Sequence, residues 1–200
     1  MAPETKCRKV VSILYWLQQY FKGNIELKKF TVQEDLGISI VDDLKWEFHI
    51  NKIVKKANTV LYMVRRCFKN ISPKVLLRVY KAYVRPILEH AVVVWCPYFQ
   101  KDIALLERVQ RRATKIPSAL KHLTYEERLK ALGLTTLEER RDRGCLIEVF
   151  KILHKHYTCN IIFFRPNRNQ QLRGHLLKMK VQLSHRLSRE FFFTNRVIHQ

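Results

Sequence analysis

Two hundred residues with 47% apolar content can bury one sizeable core, which excludes a chain disordered throughout. The formal net charge of +21 is uneven: residues 46–116 hold 15 basic and 4 acidic groups, residues 161–200 hold 8 and 1, and the rest is nearly balanced. Self-repulsion on that scale is relieved by a polyanion through counterion release, so nucleic acid is the leading partner. Cys7, Cys67, Cys96, Cys145 and Cys159 are odd in number and contain no C-x-x-C pair, which argues for reduced thiols and an intracellular setting, nuclear or cytoplasmic. Five Gly and six Pro leave room for long helices.

In chain order, residues 4–22 read as a short helix closed by Gly23-Asn24. Its basic start and apolar run resemble the beginning of a signal peptide, but Gln18, Gln19, Tyr20 and Phe21 follow in place of a small-residue cleavage site. Two β-like runs, Ile25–Val32 and Leu36–Val41, lead to a turn at Asp42-Asp43. From Trp46 the apolar residues Ile50, Ile53, Ala57, Val60, Leu61, Val64 and Phe68 recur at three- and four-residue steps and predict a helix. Ser72 as N-cap with Pro73 in the first turn opens another, carrying Val75, Leu76, Val79 and Tyr83 toward a kink at Pro86. The wholly apolar run Ala91–Trp95 reads as deep core.

A third helix is predicted over Lys101–Ile116, with Ile103, Leu106, Val109, Ala113 and Ile116 inward. Thr124-x-x-Glu127 is a capping box for a short helix stopped by Gly133, and Thr135-x-x-Glu138 opens a further helix to about His156. On that last helix Leu137, Leu146, Val149, Phe150 and Leu153 form the apolar set. Trp46, Tyr83, Trp95 and Phe150 are expected in the core. Residues 165–174 read as a linker, and Phe191-Phe192-Phe193 as a segment that docks on the body. The expected fold is mainly α, a helical bundle with a short β-like lead-in and a basic, partly ordered C-terminal tail.

Arg108, Arg111, Arg112 and Lys115 share one broad helical stripe, with only Asp102 and Glu107 on that helix to neutralise them. Lys52, Lys55, Lys56, Arg65 and Arg66 form a second stripe. Charged helix faces are usually just solvated, but unneutralised stripes of this kind suit phosphate contact. Arg173, Lys178, Lys180, Arg186, Arg189 and Arg196 make a third, terminal cluster.

No catalytic or metal-binding residue and no cofactor is assigned. Asp42-Asp43 has the look of a paired-carboxylate metal site. It lacks an earlier Asp-bearing strand, since Asp35 is only seven residues before, and a turn followed by a helix cap explains it. His154-x-His156-x-x-Cys159 matches no standard zinc spacing and is explained by a helix C-terminus. There is no nucleophile motif and no Gly-rich phosphate loop.

Several ordered blocks are similar to the region after the palm of LINE-type, non-LTR retrotransposon reverse transcriptases, jockey-like and chicken-repeat-like branches most of all. They include Lys55-Lys56-Ala57-Asn58, Val84-Arg85-Pro86-Ile87-Leu88-Glu89, Trp95-Cys96-Pro97-Tyr98, Glu107-Arg108-Val109-Gln110-Arg111-Arg112, Tyr125-Glu126-Glu127-Arg128-Leu129, Leu137-Glu138-Glu139-Arg140-Arg141, Arg173-Gly174-His175 and Phe192-Phe193-Thr194-Asn195-Arg196-Val197. The resemblance covers about residues 33–200. It implies a helical thumb over 33–160, a basic C-terminal extension over 161–200, and a divergent segment over 1–32.

A thumb of that family grips the backbone of a template–primer duplex, so RNA, DNA or an RNA–DNA hybrid is the implied partner. The family's palm motif, an aromatic residue with Ala-Asp-Asp, belongs upstream of this region, which implies binding without catalysis. Arg143-Gly144-Cys145 stands where the family reads Arg-Gly-Asp, a departure that suggests a decayed or chimeric copy.

Overall fold

The computed structural model describes residues 31–157, 164, 179–180, 183–184 and 187–199, with the backbone of 21–22 and 25–26. Two short strands, β1 (Phe21–Lys22) and β2 (Ile25–Glu26), pair antiparallel. Phe21 and Lys22 are therefore extended and do not end a helix; the rest of that predicted helix and the linker over 165–174 lie outside the described residues.

β3 (Val32–Asp35) and β4 (Ile38–Val41) form a second hairpin, with Val32 opposite Val41 and Asp35 opposite Ile38. Leu36 and Gly37 both take positive φ, +50° and +80°, which is the backbone a two-residue hairpin loop needs. His90 Nε2 donates to the Leu36 carbonyl at 3.0 Å and holds the loop against the helices. The polar run Gln33-Glu34-Asp35 carries no strand signal of its own, and pairing with β4 makes it one. Ile38, Ser39 and Ile40 are all buried, so β4 is covered on both faces.

α1 (Glu47–Cys67) buries His49, Ile50, Ile53, Val54, Ala57, Leu61 and Val64 along one side. α2 (Pro73–Val79) begins as predicted, with Ser72 Oγ accepting from Val75 N at 3.4 Å. It runs through a π turn, Tyr80–Val84, into α3 (Arg85–Glu89). Pro86 has no N–H to give the helical ladder, and the neighbouring Arg85 N–H bonds the Tyr80 carbonyl, one residue further back than an α-helix allows. α4 (Val92–Trp95) is a single turn that buries Val92 and Trp95; Ala91, Val93 and Val94 are half-buried, so the apolar run is less deep than its composition predicts. Trp95 Nε1 donates to the His90 carbonyl at 2.6 Å.

α5 (Gln100–Thr114) packs on α1, α6 (Tyr125–Leu132) and α7 (Leu137–Leu153). The capping box at Thr124 and Glu127 forms, and Gly133 ends α6 in the left-handed conformation at φ +59°. The N-cap of α7 is Thr136, with its hydroxyl accepting from Glu139 N, one residue later than predicted. Thr135 instead uses its carbonyl to receive a hydrogen bond from Gln110. α7 ends at Leu153, short of His156.

The tail supplies α8 (Leu187–Glu190) and α9 (Phe193–Arg196). Phe193 and Val197 join Cys145, Val149 and Phe164 in a second core, and Phe191 stacks on Tyr98 at 4.5 Å. The docking predicted for the three phenylalanines is thus present. Cys67, Cys96 and Cys145 are free thiols.

Two expected core residues are not in the core: Tyr83 is 65% exposed and Phe150 55%. Periodicity puts them on an apolar face, but that face is left mostly open, and Phe150 is met there by the His154 ring stacked at 4.0 Å. Leu146, beside Phe150 on α7, is exposed for the same reason. Trp46 is half-buried against the main core, and Trp95 is fully inside. Among the described residues no helix is long and apolar enough to cross a membrane.

His49 gives the fold a pH dependence. Its ring is buried edge-on to Trp95, its Nδ1 accepts from Ser39 N at 3.2 Å, and burial, with Lys52 and His90 nearby, lowers its pKa from 6.5 to about 4. The unfolded chain takes up this proton near pH 6.5 while the native ring refuses it until about pH 4, so acid favours unfolding. Roughly 3 kcal/mol of stability, complete above pH 6.5, is expected to be lost as pH falls to 4. Urea midpoints at pH 7 and pH 4.5, for wild type and His49→Gln, test this; equal pH slopes in the two proteins would refute it.

Candidate nucleic-acid interface

α5 buries Leu106, Val109, Gln110, Ala113 and Thr114, and this orientation turns Arg108, Arg111, Arg112 and Lys115 to solvent. The two acids expected to neutralise them do not. Asp102 is buried near the start of the helix, where desolvation raises its pKa. Glu107 is turned inward and accepts from Tyr125 Oη, Gln110 Nε2 and Leu137 N. The side chains of Arg108, Lys115 and the neighbouring Lys121 make no ion pair or hydrogen bond among the described residues.

The structure divides the α1 stripe. Arg112 Nη1 donates to Asn58 Oδ1 of α1 at 3.2 Å, so the two helices meet at that point. Lys55 lies three residues before Asn58 and Arg65 seven after it, which puts both on the same side of α1 as the α5 cations. Arg66 stands about 80° round from Asn58, with its guanidinium over the Tyr62 ring. Lys56 is roughly 160° away and Lys52 about 120°, so both face elsewhere. Lys52 is in any case engaged, donating to Glu34 Oε1 at 2.7 Å and to Ser39 Oγ at 3.3 Å, and this bond holds the Glu34 carboxyl below its ordinary range.

Lys121, Tyr125 and Arg128 complete the site and have no place in either stripe. With Arg108, Arg111, Arg112, Lys115, Leu123 and Thr124 they line a cleft of about 480 Å³. Arg128 is almost wholly buried in its wall. Its Nε donates to Thr114 Oγ1 at 3.1 Å and its Nη1 to the Leu123 carbonyl at 2.5 Å. Arg111 lies over the Tyr125 ring at 4.6 Å from its centre and Arg128 at 5.7 Å. Burial and donation to Glu107 keep the Tyr125 hydroxyl protonated well above the ordinary tyrosine range. The capping box was a usable sign that a helix begins beside α5, but the closeness of Lys121 and Arg128 to Arg111 comes only from the packing.

The terminal cluster is partly structural. Arg196 donates to the Phe191 and Val93 carbonyls and to Cys145 Sγ, pinning the tail to α4 and α7, and Arg189 lies over Phe192. Lys180 is exposed. Arg173, Lys178 and Arg186 lie outside the described residues, as does Cys159.

Asp42 and Asp43 sit in the predicted turn, and Asp43 Oδ1 accepts from Lys45 N at 2.9 Å. The helix cap also expected there is not formed: the N-cap position is Trp46, with no side-chain bond. His154 follows the end of α7, bonded through Nδ1 to the Phe150 carbonyl. No cluster of three metal-ligating side chains occurs among the described residues. Comparison with family models, curated proteins and solved structures finds no match to this chain.

Proposed function

We propose that the chain binds the backbone of a nucleic-acid duplex without catalysing a reaction, as a thumb-like fragment of a non-LTR retrotransposon reverse transcriptase. The observation that carries this reading is the gathering of unneutralised cations from α5, the following loop and α6 around one cleft, with Lys55 and Arg65 of α1 alongside. Such a surface suits phosphates, which position a duplex without reading its bases.

The family resemblance adds support because its separate blocks touch one another. Arg140 makes a paired contact with both carboxylate oxygens of Glu89, at 2.5 and 3.0 Å. Tyr125 bonds Glu107. These are contacts between stretches that the resemblance picked out independently of any structure.

The test is binding of the purified chain to a labelled RNA–DNA hybrid across a salt series, beside anionic vesicles. Micromolar or tighter affinity for the hybrid is expected, with log Kd rising against log salt at about 0.9 per phosphate contacted. Preference for vesicles over the hybrid would favour a membrane-surface module, and no binding at low salt would reduce the charge to inheritance.

A further inference from the structure

Resting on that reading, we propose that the cleft between α5 and α6 takes a terminal phosphate monoester at the end of a nucleic-acid strand. A duplex backbone is a convex line of diesters, each with one negative charge, and it meets flat or gently curved basic surfaces well. What sets this open recess apart is that it holds more charge than one diester can match: Arg108, Arg111, Arg112, Lys115 and Lys121 surround it, with Arg128 in its wall. No carboxylate lines it. The two acids bonded to its lining residues are both engaged: Glu127 accepts from the Thr124 N–H and hydroxyl, and Glu107 from Tyr125 Oη and Leu137 N. A phosphate monoester protrudes from a strand end, bears close to two charges, and offers three acceptor oxygens.

Three of the guanidiniums are already held in place. Arg128 is fixed by Thr114 and Leu123, Arg112 by Asn58, and Arg111 by the Tyr125 ring. Their planar forks match phosphate oxygens in pairs, and little side-chain freedom is left to lose on binding. The cleft's aromatic ring is engaged by these cations and is not open for a base to stack on. Recognition at this point is therefore of the end group and independent of sequence. The volume, about 480 Å³, falls within that of small-ligand clefts, roughly 300–1,000 Å³.

The experiment uses the full chain and RNA–DNA hybrids identical except for their ends: hydroxyl at both ends, phosphate at the 5′ end, or phosphate at the 3′ end. Binding at least about tenfold tighter for one of the phosphorylated hybrids is expected. Lys121→Gln should reduce that preference, whereas Lys55→Gln with Arg65→Gln should weaken all three hybrids alike and keep it. Equal affinity for all three ends overturns the terminal-phosphate site and leaves backbone binding standing; failure of every hybrid to bind overturns the reading beneath it. A free nucleoside monophosphate that displaces the phosphorylated hybrid at equal concentration overturns the strand-end assignment, because the cleft would then serve free nucleotides.

Discussion

Arg111→Glu with Arg112→Glu is expected to weaken RNA–DNA hybrid binding by at least about a hundredfold, because two charge-assisted contacts of roughly 1.5–3 kcal/mol each are lost and two repulsions gained. The slope of log affinity against log salt should become shallower by about 1.8, the share of two phosphates. Both side chains are exposed, so the fold should survive. The structural losses are the Arg112 bond to Asn58 and the placement of Arg111 over Tyr125, the latter about 0.5–1 kcal/mol at an exposed site. Affinity measured across salt, with a thermal melt of each protein, separates the two effects. Lys52, already paired with Glu34, is the comparison within the same protein, since its reversal removes no free cation. Unchanged affinity and slope in the double variant would remove α5 from the interface.

What could be read in the sequence was local. Ser72-Pro73, the box at Thr124 and Glu127, and Gly133 act within one helical turn, so their residue types alone specify them. Thr135 and Thr136 each have a glutamate three residues later, and local rules cannot choose between them. Tertiary structure chooses: Leu137 must enter the core, and the Thr135 carbonyl must meet Gln110. Tyr83 and Phe150 fail for a different reason. A 3.6-residue period shows which side of a helix is apolar, not whether another element covers it.

The site shows the same division. The four α5 cations are legible as a stripe because the helix is, whereas the neutralising role given to Asp102 and Glu107 assumed that acids on a basic helix face its cations. Both turn inward. Within α1, Lys52 and Lys55 are only one turn apart in sequence and differ completely in fate, since a hairpin strand supplies Glu34 to one of them. Lys121 and Arg128 reach Arg111 only through the fold of the α5–α6 connection.

Gln110 is the residue whose importance the sequence hides most fully. It sits among Arg108, Arg111 and Arg112 and reads as one more polar surface position, yet it is fully buried. Its Oε1 accepts from Tyr80 Oη at 2.6 Å, and its Nε2 donates to the Thr135 carbonyl at 2.9 Å and Tyr125 Oη at 3.0 Å. One side chain therefore joins the π turn, the start of α6 and the loop before α7 to α5. Gln110→Leu keeps similar bulk but strands the Tyr80 hydroxyl and the Thr135 carbonyl without partners. Each buried orphan costs about 1–3 kcal/mol, so a total near 4 kcal/mol is expected, a large part of the 5–15 kcal/mol typical of a folded domain. Tyr80→Phe in the Gln110→Leu background removes one of the orphans, so the double variant should be more stable than the sum of the single effects by at least about 1 kcal/mol. Urea unfolding of the four proteins measures both quantities. A Gln110→Leu cost below about 0.5 kcal/mol would mean that the buried network does not hold α5 in place. A large cost with no coupling to Tyr80 would shift the burden to Thr135 and Tyr125, the contacts that set α6 and its end of the cleft against the cationic stripe.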